Sequence, residues 1–314
     1  MDKKKFLPSM AVIFIMAAII INPSRYILSA QNGMILFAMS VLPALFPFFF
    51  FSKLLSMFQA DQALGNMLSK PLKRLYNIPP SGGYIMVMSL MCGYPIGAKL
   101  ISEYHDQNIL TKDEASGIAA MASTSGPLFI LGTIGSIILH NKSAALVILV
   151  SHYLSAFING IIYRNNREPS HANIPAMQSL TLKDSIYNAV ISILMVGGYI
   201  IVFNIIIDVL IDIKVFEILT KLLSPALGGI SKGMLCSIVE VTRGTAVIGK
   251  SNSSLIQMTA AIAAGVTFGG MSIIIQSITF LESTGLKTYK FLLMKFSQSL
   301  IAYIIALIIS MLFL

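Results

Sequence analysis

Apolar runs separated by short polar stretches follow one another along almost the whole chain, and their order repeats. The first run covers residues 6–21, and the second, 30–58, is long enough at about 1.5 Å per residue to cross a bilayer core and project beyond it. A more polar stretch, 61–76, carries Lys70, Lys73 and Arg74 and predicts an amphipathic helix at the interface. Residues 81–101 are apolar but interrupted at Cys92-Gly93-Tyr94-Pro95-Ile96-Gly97, where a proline and two glycines disfavour a continuous helix. Residues 115–139 are interrupted at Ser123-Thr124-Ser125-Gly126-Pro127, and 143–163 follow without interruption.

A polar linker, 164–183, with Pro169 and Pro175, divides the chain, and the order of elements then begins again. A long apolar run (184–211) is followed by a shorter, more polar one (212–227). Next comes a stretch, 231–249, expected to break at Thr242-Arg243-Gly244-Thr245. Residues 255–281 are interrupted at Thr267-Phe268-Gly269-Gly270, and 289–314 close the sequence. The expected organisation is therefore an extra N-terminal transmembrane helix (1–25), a first repeat (26–163), the linker (164–183) and a second repeat (184–314). If 81–101 and 231–249 turn back at their breaks, each half crosses three times and the halves are inverted. Full crossing by both stretches stays open at this point.

Hydrophobic residues make up 56% and charged residues 11% of the 314 positions, which excludes an ordinary soluble domain. The net charge of +9 is dispersed over short loops and so reads as topology, not as a nucleic-acid surface. Sorting the 22 Lys and Arg by the three-crossing arrangement places about two-thirds of them, Lys53, Lys99 and Lys295 included, on the cytoplasm-type side. Lys3-Lys4-Lys5 before the first run suits a retained first helix; a signal peptide ending near Leu28-Ser29-Ala30 is the alternative. Cys92 and Cys236 lack metal or disulfide spacing and read as small packing residues.

Broken apolar segments at matched positions of two halves point to a transporter binding site, because irregular backbone in lipid must be buried in protein or line a cavity. The competing reading is that the glycines permit close helix packing. On the first reading the breaks supply backbone ligands at Gly93, Tyr94, Pro95, Gly97, Gly126, Gly244, Gly269 and Gly270, with hydroxyls from Ser123, Thr124, Ser125, Thr242, Thr245 and Thr267. Half-helix N-termini suit a carboxylate-bearing solute. Glu240 and Arg243, three apart in an apolar stretch, are read either as a structural ion pair or as an anion-facing arginine with a carboxylate that orients it or exchanges a proton. Lys99 stands just past the first break, where lysines also snorkel to the interface. Tyr94 is read as a ring-stacking residue or an interfacial anchor, His152 as a core histidine or a proton relay, and Asn188, Asn204 and Gln276 as helix-bridging amides.

Gly93-Tyr94-Pro95-Ile96-Gly97-Ala98-Lys99, Ser125-Gly126-Pro127-Leu128-Phe129, Glu240-Val241-Thr242-Arg243-Gly244 and Gly269-Gly270-Met271-Ser272-Ile273 resemble the YlbJ-type sporulation integral membrane proteins, which carry the nucleoside-recognition (Gate) domain. The resemblance runs from about residue 26 to the end. Gate domains are similar in layout to concentrative nucleoside transporters, whose halves each hold a long helix, a re-entrant hairpin, a broken helix and a further helix. The resemblance implies dipicolinic acid as the solute and the outer forespore membrane as the location. A nucleoside transporter and a non-transporting scaffold in spore development are the alternatives. No nucleotide-binding loop, metal-ligand cluster or nucleophile arrangement is legible, so the expectation is a non-enzyme without cofactor. An ion gradient (Na+ or H+) or the solute's own gradient would drive it. The expected partners are a small anion and the bilayer, without nucleic acid and with a homo-oligomer left open.

Overall fold

A computed structural model describes residues 3–58, 60–165, 169 and 181–314. Most of the linker expected at 164–183 lies outside these residues, as does Arg167. The described chain is helical throughout, with no strand. It contains six helical stretches long and apolar enough to cross a membrane, so the chain is a polytopic membrane protein.

Helix α1 (Lys3–Ile21) is followed by α2 (Pro23–Leu36) and α3 (Leu42–Met57), joined through a π-helical turn at Phe37–Val41 into one long rod. Helix α4 (Ala60–Tyr76) is short and amphipathic. The first interrupted stretch forms α5 (Pro80–Cys92) and α6 (Ile96–Asp106). Tyr84 faces Tyr104, with ring centroids 6.4 Å apart, and Ser89 lies beside Gly97. Both pairs are nearly symmetric about Gly93, so the two arms form a hairpin that turns back on itself. Helix α7 (Lys112–Ala119) opens with a reciprocal Thr111–Glu114 cap. The chain then runs irregularly through residues 120–128 before a π-helical segment, Phe129–Ile138, and α8 (Lys142–Ile162) follows.

The second half repeats this order. Helix α9 (Leu182–Asp212) is long, and α10 (Val215–Leu227) is separated by Gly228 from α11 (Ser231–Val239). Helix α12 (Val241–Gly249) folds back on α11, with Gly244 against Ser237 and Gly233 against Ile248, pairs symmetric about 240–241. Arms of nine residues span only about 13 Å, less than half the hydrocarbon thickness. Both interrupted stretches are therefore hairpins, and the full-crossing alternative is set aside.

The second hairpin corrects one expectation. Its break falls at Glu240 (φ −141°, ψ 118°), and Thr242, Arg243, Gly244 and Thr245 are helical within α12. Gly244 serves close approach, not a turn: a Cβ there would run into the Ser237 backbone. Helix α13 (Leu255–Phe268) ends at Gly269, α14 (Gly270–Leu281) continues after it, and α15 (Thr288–Phe313) closes the fold.

Small residues decide which helices lie at the centre. In α13, Ala260, Ala261, Ala263 and Ala264 are buried and the helix packs against α8 and α15, as expected where van der Waals fit, not water exclusion, drives association. Large apolar side chains are left on the outer faces of α1, α9 and α15, where lipid is their natural solvent.

Candidate functional site

The four breaks converge. Gly93 adopts φ +80° and ψ −168°, a conformation open essentially to glycine, and packs against the backbone of Gly126. The tip of the first hairpin thus rests on the irregular segment of its own half. In the same way Gly270, at the α13–α14 break, lies against the Ser237 and Val239 carbonyls at the tip of the second hairpin. The two halves are then joined across the centre. The Tyr94 hydroxyl donates to the carbonyl of Thr267 at 3.1 Å, linking the first tip to the second break. His152 links the two breaks: its Nε2 accepts from the Ser125 amide at 2.8 Å, and its Nδ1 lies 2.7 Å from Thr267 Oγ1. A backbone N–H can only donate, so Nε2 is unprotonated and Nδ1–H donates to the threonine.

A cavity with about 50 Å3 of room for water-sized occupants lies where these parts meet. Tyr94 comes from the first tip, Ser125 and Gly126 from the first break, and Glu240, Val241 and Thr242 from the second tip. Val266, Ser272 and Gln276 come from the second broken helix. Val41 of the first long rod and Val196 and Ile200 of α9 complete the wall. These last residues stand near the mid-length of their rods, so the cavity sits at the mid-length of the long helices.

Of the residues nominated from sequence, Tyr94, Ser125, Gly126, Glu240 and Thr242 border this cavity. Gly93, Pro95, Gly97, Ser123, Thr124, Thr267, Gly269 and Gly270 belong to the tips and breaks around it but do not line it; Thr124 and Ser89 share a hydrogen bond at 3.0 Å. Four nominations end elsewhere, the first of them Gly244, which packs against Ser237. Arg243 turns to α9, where it pairs with Asp208 and donates to the Asn204 carbonyl at 3.1 Å, so neither the Glu240–Arg243 ion pair nor an anion-facing arginine is what the geometry contains. Lys99 donates to Ser192 at 3.3 Å and approaches Glu103. Thr245 donates to the Thr242 carbonyl within its own helix.

Glu240 has a different role from the expected one. Its buried carboxylate accepts from the amides of Thr242 (3.0 Å) and Arg243 (2.7 Å), capping α12. The carboxylate subsite that a half-helix N-terminus offers is thus already filled at this tip by the chain itself.

Lys295 is the residue that sequence reasoning missed. Counted with the topology charges, it lies about 10 Å along α15 and is only 1% exposed. Its Nζ donates to Tyr94 Oη (2.8 Å), the Ser123 carbonyl (2.9 Å) and Gln298 Oε1 (3.1 Å), and lies 4.8 Å from the Tyr94 ring centroid. One turn of apolar sequence before it, residues 291–294, and a glutamine one turn after it, were the available signals. Tyr94 is accordingly an interior residue whose ring meets a cation, not an interfacial anchor.

Hairpins and broken helices gathered around a largely apolar pocket at the mid-length of the long helices define a polytopic helical membrane protein with a central, protein-lined site. The chain is 25% identical to the sporulation integral membrane protein YlbJ of Bacillus subtilis (strain 168), across 95% of this chain and 80% of that one. That similarity supports a YlbJ-type protein. No family model and no solved structure matches the chain.

Proposed function

We propose that this chain is a secondary transporter of a small aromatic or heteroaromatic anion. The observation that carries the proposal is that both hairpin tips, the first helix break and the segments flanking the second border one cavity at the mid-length of the long helices. Each half has a long helix, a hairpin, a broken helix and a further helix, and so an odd number of crossings. The halves then form inverted repeats of the kind found in concentrative nucleoside transporters, and rocking one against the other would expose the site to alternate sides. The room there suits a few waters and not a dicarboxylated ring, so admitting such a solute requires the walls to move apart. The resemblance to YlbJ-type proteins points to dipicolinate as the solute and to the outer forespore membrane during sporulation as the place. No chemical conversion is assigned to the site.

The test is uptake by proteoliposomes offered labelled dipicolinate and a panel of other anions and nucleosides. Saturable dipicolinate uptake that nucleosides fail to compete supports the proposal. Uptake of nucleosides alone replaces it with a nucleoside carrier, and no uptake of any solute by correctly inserted protein leaves a scaffold role in spore development.

A further inference from the structure

Lys295 is a protonatable group in the interior of the helical fold with no anion beside it. Among the described residues no carboxylate lies within ion-pair distance of its Nζ. The acids nearest the cavity are already committed, Glu240 to its helix cap and Asp208 to Arg243. Removing a charge from water without a counter-charge is strongly unfavourable even after relaxation. Such a group persists only where a ligand supplies the missing charge or where it can shed its proton. The titratable groups facing Lys295 are Tyr94, from the first hairpin tip, and His152, across on α8. Helices α13 and α14, packed on the same face, contain no titratable side chain. His152 is held neutral by the Ser125 amide, which leaves the Lys295–Tyr94 pair.

That pair can satisfy either protonation state without moving a heavy atom. As an ammonium, Lys295 uses all three N–H groups on Tyr94 Oη, Ser123 O and Gln298 Oε1, while the Tyr94 hydroxyl donates to the Thr267 carbonyl. As an amine, it keeps two donors on Ser123 and Gln298, and its lone pair accepts from the Tyr94 hydroxyl after a rotation about the C–O bond. Tyr94 also lines the cavity, so the group that switches touches both the lysine and the solute space. Beside them the Gln298 amide nitrogen is a buried donor with no acceptor.

On the reading of the cavity as an anion site, we propose that Lys295 is the coupling residue of the carrier: it takes up one proton when an anion enters the cavity and releases it when the anion leaves. One anion and one proton then cross together, and the empty carrier returns with Lys295 as a neutral amine. The chemistry balances as a simple proton movement between water and Nζ, with the Tyr94 hydroxyl reorienting.

The test uses full-length protein in proteoliposomes clamped at zero membrane potential, with dipicolinate as the probe. A one-unit inward proton gradient is expected to concentrate the anion up to about tenfold through the unaltered protein, the limit for one proton per anion. Lys295→Gln is expected to do no more than equilibrate it. Accumulation by Lys295→Gln equal to that of the unaltered protein would overturn the assignment while leaving transport intact. Equilibration by the unaltered protein without response to the proton gradient would do the same. If the unaltered protein moves no anion, the transport reading itself fails, and the coupling role with it. Should Lys295→Gln not insert, nitrogen NMR of 15N-lysine-labelled, unaltered protein in nanodiscs answers the question without transport. One Nζ signal is expected to pass from amine to ammonium on adding dipicolinate, and lysines that all remain ammonium throughout would overturn the proposal.

Discussion

The two hairpin tips meet the same demand by different means. Each must reverse the chain in the middle of a low-dielectric layer without leaving peptide groups unpaired. At the first tip the reversal is conformational: Gly93 takes up dihedrals closed to other residues, the chain passes through Tyr94 and Pro95, and the charge nearby is brought by Lys295, 201 positions away. At the second tip the reversal is electrostatic. Glu240 keeps ordinary extended dihedrals and uses its carboxylate on two amides, while the adjacent Arg243 is drawn off to Asp208. A glycine turn adds no charge of its own, so the first tip can host a lysine that has no carboxylate beside it. The second tip has spent its charge on its own backbone and serves as a fixed wall.

This contrast can be broken or sharpened by substitution, with folded stability read from denaturation of the purified protein in detergent. The largest loss is expected for Gly93→Ala, about 3 kcal/mol or more, because the new Cβ meets both forbidden dihedrals and the Gly126 backbone. A tolerated alanine would show that the first tip does not depend on glycine geometry. Glu240→Ala is expected to cost about 2–3 kcal/mol through two buried amides left without an acceptor. Glu240→Gln, which keeps one acceptor, should cost less; equal losses would contradict a charge-based cap. Next, a double-mutant cycle of Arg243→Ala with Asp208→Ala is expected to give a coupling of about 1–2 kcal/mol, and additivity would mean the pair does not brace the second hairpin against α9. The smallest effect, no measurable loss of stability, is expected for Lys221→Ala, whose pairing with Glu217 on α10 is exposed.

Much of the architecture was legible because lipid constrains it. Segment lengths follow from bilayer thickness, and Gly93 with Pro95 announced the first turn, as Gly269 with Gly270 announced the second helix break. The second turn was placed too late because Gly244 resembles a breaker in sequence. Only the opposing helix reveals that its missing side chain admits Ser237. Arg243 was misread for a related reason. In sequence its nearest acid is Glu240, three residues away, whereas Asp208 reaches it only through the packing of α9.

The sequence by itself determined that this is a membrane protein, where its helices lie and at which points they break, since these follow from local backbone preference and from the cost of bare peptide groups in hydrocarbon. Tertiary structure alone decided which charges meet. Lys295 beneath Tyr94, His152 between two breaks and Arg243 on Asp208 join positions 27 to 201 apart. Electrostatic pairing depends on distance in space, and no periodicity along the chain encodes it.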